Sequence, residues 1–140
     1  MSDLDEVKKR LEETGASLVV MFSDGIIKEY YNPRVEDIVA ILKSDKYALK
    51  NAIIADKVIG KIAGSLLAFG GVKEIYANTI SKIAIPVLEK NKIKYEYSML
   101  VDYIQNNDKT GICPMENRFK NVENLTEIYN YFVKNNETSS

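Results

Sequence analysis

Eight residues of this 140-residue chain have types and spacings that can do chemistry: Asp56, Lys57, Lys61, Asn78, Thr79, Ser81, Cys113 and Glu116. Lys57 and Lys61 stand four apart. On a helix they share a stripe and can hold an anion, and a desolvated Lys57 can act as a general acid. The plainer reading is a solvated basic face with Asp56 as a local partner. Cys113-Pro114 reads as an N-cap followed by proline at the first helical position. A thiol there feels the positive helix end and can become a reactive thiolate, or it is simply a buried, inert cysteine. Glu116, three residues on, can cap the same helix end or carry a proton. Asn78, Thr79 and Ser81 can bond a ligand, although Ser81 serves equally well as a helix cap. Lys57, Cys113 and Glu116 form the candidate catalytic set, and all eight are candidate ligand contacts.

What is missing narrows the chemistry. The chain has no histidine and one cysteine. A closed Cys/His zinc site is excluded, as are nucleophiles activated by histidine. No intramolecular disulfide can form, which agrees with a reducing compartment. No acidic cluster points to a carboxylate-bound cation. No metal and no cofactor are therefore expected. A net charge of −1 argues against a nucleic-acid scaffold, which needs clustered positive charge. No apolar run is long enough to span a membrane, and the acidic N-terminus lacks a secretory core. The expectation is a cytoplasmic protein whose 46% hydrophobic and 28% charged residues suit one globular domain over residues 1–134, with a disordered tail at 135–140.

The elements that must position these residues follow from periodicity. Residues 3–14 read as a charged helix with Ser2 or Asp3 as N-cap and Gly15 as its stop. SLVVMF (17–22) is a continuous apolar run that suits a strand covered on both faces. Asp24-Gly25 signals a hairpin to IIKEYY. Asn32-Pro33 caps a helix from Arg34 to about Ser44, and DKYALKN links onward. From Asn51 to Gly70, apolar residues at Ile54, Val58, Ile59, Ile62, Ala63, Leu66 and Leu67 predict one long central helix. Gly60 and Gly64 then lie inside it, each costing about 1 kcal/mol against alanine and marking close packing. GKIAG is not a phosphate loop, because Ala55 stands where that motif needs glycine. VKEIYA is predicted as a strand, Asn78 to Ser81 as a loop, and Ser81 as the cap of a helix ending near Lys90. IKYEYSML alternates as a half-exposed edge strand. Residues 101–111 look irregular, with a helical turn at VDYIQ. TGICPMENRF enters a short helix, and Val122 to Val133 forms a final amphipathic one.

This order predicts an α/β fold: a mixed, four- to five-stranded sheet, order 2-1-3-4, with helices on both faces. In open α/β sheets, ligands favour the carboxyl ends of strands. The N-terminus of the central helix, the Asn78 loop and the Thr110–Glu116 loop should then meet at one edge. That convergence would gather Asp56, Lys57, Asn78, Thr79, Cys113 and Glu116.

The segments ADKVIGKIAG, GGVKEIYANTIS and TGICPMEN, in this order, resemble a small bacterial family catalogued as domain of unknown function eighteen-ninety-three. The resemblance covers about Ser17 to Asn117. It implies a cytidine-deaminase-like, three-layer α/β/α sandwich. It does not carry deaminase chemistry. Zinc deaminases place His-x-Glu or Cys-x-Glu at the central helix and Pro-Cys-x-x-Cys at the next. Here those stretches read Ala55-Asp56-Lys57 and Ile80-Ser81-Lys82-Ile83. The superfamily also includes a zinc-free formyl-transferring enzyme with an acid–base lysine at this helix, to which Lys57 is comparable by analogy. The expectation is a zinc-free domain binding a small polar or anionic, nucleotide-like metabolite. The alternatives are a homodimeric interaction module using IKYEYSML or the Tyr-rich last helix, and a redox-sensing Cys113.

Overall fold

The computed structural model describes residues 2–105 and 111–134. The expected tail at 135–140 and residues 106–110 of the expected irregular segment lie outside them. Helix α1 (Asp3–Thr14) begins with a reciprocal cap: the Ser2 hydroxyl accepts from Asp5 N–H, and the Asp5 carboxylate accepts from Ser2 N–H. Gly15, at φ +73, ends it in the left-handed region. Strands β1 (Leu18–Met21) and β2 (Ile27–Tyr30) form the expected hairpin, with the Asp24 carboxylate accepting from Ile26 N–H at 3.0 Å. Helix α2 (Glu36–Ser44) starts later than expected. Asn32 does not cap it. Instead Asn32 donates its backbone and side-chain N–H groups to the Asp37 carboxylate, at 2.9 and 2.8 Å.

The largest departure from expectation is the central element. Residues 51–70 are not one helix. Ile53–Ile59 is a strand, β3, and only Lys61–Gly70 is helical, as α3. Ile53, Ile54, Val58 and Ile59 are β-branched and favour the extended form. Burial on both faces removes the alternation that would have marked a strand, and the remaining spacing imitates a helix. Gly60 is therefore the N-cap of α3 rather than an interior residue.

The sheet has the order β2-β1-β3-β4-β5, with β4 at Glu74–Ser81 and β5 at Lys94–Val101. The four strands foreseen keep their relative order, and β3 enters between β1 and β4. Strand β1 is antiparallel to both neighbours, whereas β3, β4 and β5 pair in parallel. Asn78 to Ser81 is not a loop. Pairing with strands on both sides carries β4 through to Ser81. Helix α4 (Ile85–Lys90) follows without a side-chain cap, so Ser81 does not have the capping role expected of it.

Two cores flank the sheet. On one face α1 sets Leu4, Val7 and Leu11 against Val19, Ile53, Ala55 and Tyr76. On the other, α2, α3 and α4 bury a larger cluster that includes Ile38, Leu42, Leu66, Leu67 and Leu88. Helix α5 (Pro114–Phe119) starts at Cys113-Pro114 as expected. The final helix is shorter than expected. Asn124 caps α6 (Leu125–Tyr129), which widens into a π-helical turn over Asn130–Lys134.

Candidate functional site

Because β1 runs against both of its neighbours, β2 points the same way as β3, β4 and β5. The carboxyl ends of these strands share one edge of the sheet. There the turn before α2, the β3–α3 junction, the segment after β5 and the start of α5 come together around a cavity of about 390 Å³. Val58, Ile62, Ala63, Ile104, Met115 and Phe132 give it apolar walls, and Arg34, Gln105, Cys113 and Glu116 add polar groups.

Glu116 is the hub. It is 3% exposed. One carboxylate oxygen accepts from Lys61 N–H at 2.7 Å, at the first turn of α3, and the other from the Ser81 hydroxyl at 3.0 Å. Ile62 N–H contributes as well. Burial raises the pKa of this carboxyl above the usual carboxylate range, against the pull of these donors. A helix N-terminus attracts anions, and here the chain supplies its own. The glycine at the junction is required by this approach. A Cβ on Gly60 would lie 2.6 Å from Glu116 Oε2 and 2.6 Å from Ile104 Cγ1.

The remaining expected residues separate. Lys57 sits on β3 and turns away, its Nζ donating to Gly15 O at 3.2 Å and so closing the C-terminal end of α1. Lys61 does not share a helical stripe with it, because Lys61 opens α3 while Lys57 belongs to the strand. Lys61 is buried, and that burial lowers the pKa of its ammonium. Asp56 lies in mid-sheet, opposite Leu18 and Ala77. It is buried, its Oδ1 accepts from Val58 N–H at 3.3 Å, and Lys57 N–H contributes as well. Burial pushes its carboxyl up to about 8. Asn78 is exposed, and Thr79 lines a neighbouring hollow of about 420 Å³ that shares Val58, Ile104 and Gln105 with the first. Cys113 is 8% exposed, with Arg34 Nη1 3.5 Å from its sulfur.

Sequence reasoning thus placed Cys113 and Glu116 at the cavity and overlooked Arg34, Gln105 and Ile104. Arg34 had a usable signal. Once β3 is recognised as a strand, the direction of β2 brings the Asn32-Pro33-Arg34 turn to the same edge.

Residues 6–135 match the model of a family described as a domain of unknown function (DUF1893). The chain belongs to that family. A solved DUF1893 family protein from Thermotoga maritima has the same fold: TM-score 0.83 at 22% identity, covering 94% of this chain and 89% of that one. A further similar structure is a diaminohydroxyphosphoribosylaminopyrimidine deaminase/5-amino-6-(5-phosphoribosylamino)uracil reductase, also from Thermotoga maritima. Its TM-score is 0.46 at 15% identity, over 68% of this chain and 36% of that one. No curated protein matches the sequence. Among the described residues no helix is long and apolar enough to cross a membrane.

Proposed function

We propose that this DUF1893 domain binds a small, flat, largely apolar molecule with a hydrogen-bonding edge, in the cavity above the N-terminus of α3. A nucleobase-like heterocycle has that chemistry. The supporting observation is the cavity itself: about 390 Å³ at the carboxyl ends of parallel strands, with apolar walls and a few polar groups. The sequence reading favoured an anionic metabolite at this helix end. The Glu116 carboxylate already takes up the Lys61 and Ile62 N–H groups, which moves the reading toward a neutral ring. Binding rather than turnover is the reading supported here, because Lys57 is engaged with Gly15 and both Glu116 oxygens have donors.

The test is a thermal-shift screen of nucleobases, nucleosides and related heterocycles on the wild type and on Ala63→Leu, which fills the cavity. A ligand at about 100 times its dissociation constant stabilises by about 2.7 kcal/mol. The expected result is a hit that disappears in folded Ala63→Leu. A hit of unchanged size in that variant would place binding elsewhere and overturn the reading.

A further inference from the structure

The open side of β5 is the second feature of this fold that asks for an occupant. Strand β5 is the last in the sheet order, and among the described residues no strand pairs with its far side. It runs for eight residues, none of them buried. Tyr97, Met99 and Leu100 are 42%, 58% and 38% exposed. Edge strands are normally protected by charge, proline, a bulge or a covering element. Beyond Lys94 and Glu96, β5 has none of the first two, and its middle is apolar.

The backbone defines how a partner strand would sit. Lys82 N–H donates to Val101 O at 2.8 Å, so Val101 spends its polar groups on β4. Strand alternation turns those of Leu100 and Ser98 to the open side. We infer that β5 pairs antiparallel with β5 of a second copy of this chain, about a two-fold axis at Ser98, joining two sheets into one. Charge complementarity selects that occupant and that register. With the axis at Ser98, Lys94 falls opposite Asp102 of the second copy, and by symmetry this happens twice. Tyr97 falls opposite Met99, an aromatic–sulfur pair. Centring on Tyr97 sets Lys94 against Leu100. Centring on Met99 sets Glu96 against Asp102, two like charges. Within one copy Asp102 already meets Lys82 at 2.9 Å on an exposed surface, and it has room for a second cation. The interface lies on β5 and is independent of the cavity reading.

Sedimentation equilibrium of the full chain, from micromolar to millimolar concentration, tests this. The wild type is expected to be a reversible dimer. Lys94→Asp and Asp102→Lys should each weaken it by about tenfold, because each turns two attractions into two repulsions. The double variant Lys94→Asp/Asp102→Lys should recover the wild-type constant. Ser98→Pro, which removes the central N–H, should give a folded monomer. A wild type that stays monomeric throughout would overturn the inference. So would a dimer untouched by both single reversals, or a double variant as weak as the singles. The charge variants lie on the surface and decide the matter even if Ser98→Pro does not fold.

Discussion

Glu116 and Asp56 are both buried carboxylates, and they are treated in opposite ways. Glu116 reaches across from α5 to the first turn of α3 and the end of β4, and it collects donors from both. Asp56 lies inside β3 and is offered only the N–H groups of its own strand, from Val58 and Lys57. Asp37, on the neighbouring α2, adds a repulsive charge. Burial raises both acids, but Asp56 goes all the way to about 8. Burial is the largest cause at both acids and is more complete at Asp56, so the donors each acid collects decide how far that burial is offset. Glu116 draws its donors from two other elements, whereas Asp56 has only those of its own strand. Glu116 is held as a working tie between three parts of the chain, whereas Asp56 is held as a neutral group in a sheet.

The strongest way to break this contrast is a pH series. The folded-state value of Asp56 is raised above its ordinary value of 3.8. The folded protein therefore keeps a proton that the unfolded chain releases. The stability from this group is complete below the unfolded value and is lost as pH rises toward about 8. In urea unfolding the slope should approach a loss of about 1.4 kcal/mol per pH unit across that window. Asp56→Asn should flatten most of it and be more stable than the wild type at the alkaline end. Glu116, also raised, contributes with the same sign. A wild type equally stable at both ends of the window would show that Asp56 stays charged.

Next in size is Glu116→Ala, which leaves Lys61 N–H, Ile62 N–H and the Ser81 hydroxyl without their acceptor. It should cost about 3 kcal/mol at neutral pH by chemical denaturation, while Glu116→Gln should recover part of this. If Glu116→Ala proved as mild as Asp56→Asn, the tie would not matter and the comparison would collapse. The smallest effect is expected from Lys57→Ala. Its Gly15 contact is exposed, so the loss should be about a few tenths of a kcal/mol, with ligand shifts unchanged in the thermal screen. A Lys57→Ala variant that abolished ligand shifts would return this lysine to the candidate site.

The pattern of what could be read beforehand is informative. Helix α1 declared itself because its start and stop are both local: a serine–aspartate box and a left-handed glycine. The Asp24-Gly25 hairpin and the Cys113-Pro114 helix start were legible for the same reason. Strand β3 was not, since its apolar residues serve both faces of the sheet and their spacing continues into α3 without a break. Gly60 was singled out correctly as unusual, yet as a helix-packing glycine. The reason it must be glycine, the approach of Glu116 and Ile104, comes from residues far along the chain. Glu116 was found through its spacing to Cys113-Pro114, although its donors belong to α3 and β4. Chemistry placed within one segment was visible, and chemistry shared between segments waited on the topology that the misread strand concealed.

The strand order has a consequence for how the chain comes into being. In β2-β1-β3-β4-β5, each strand after the first hairpin adds to a side that is still free when it emerges: β3 beside β1, β4 beside β3, β5 beside β4. No strand must wedge between two already joined. A nascent chain leaving the ribosome can therefore lay down its sheet in order of synthesis, without waiting for its end and without undoing an earlier pairing.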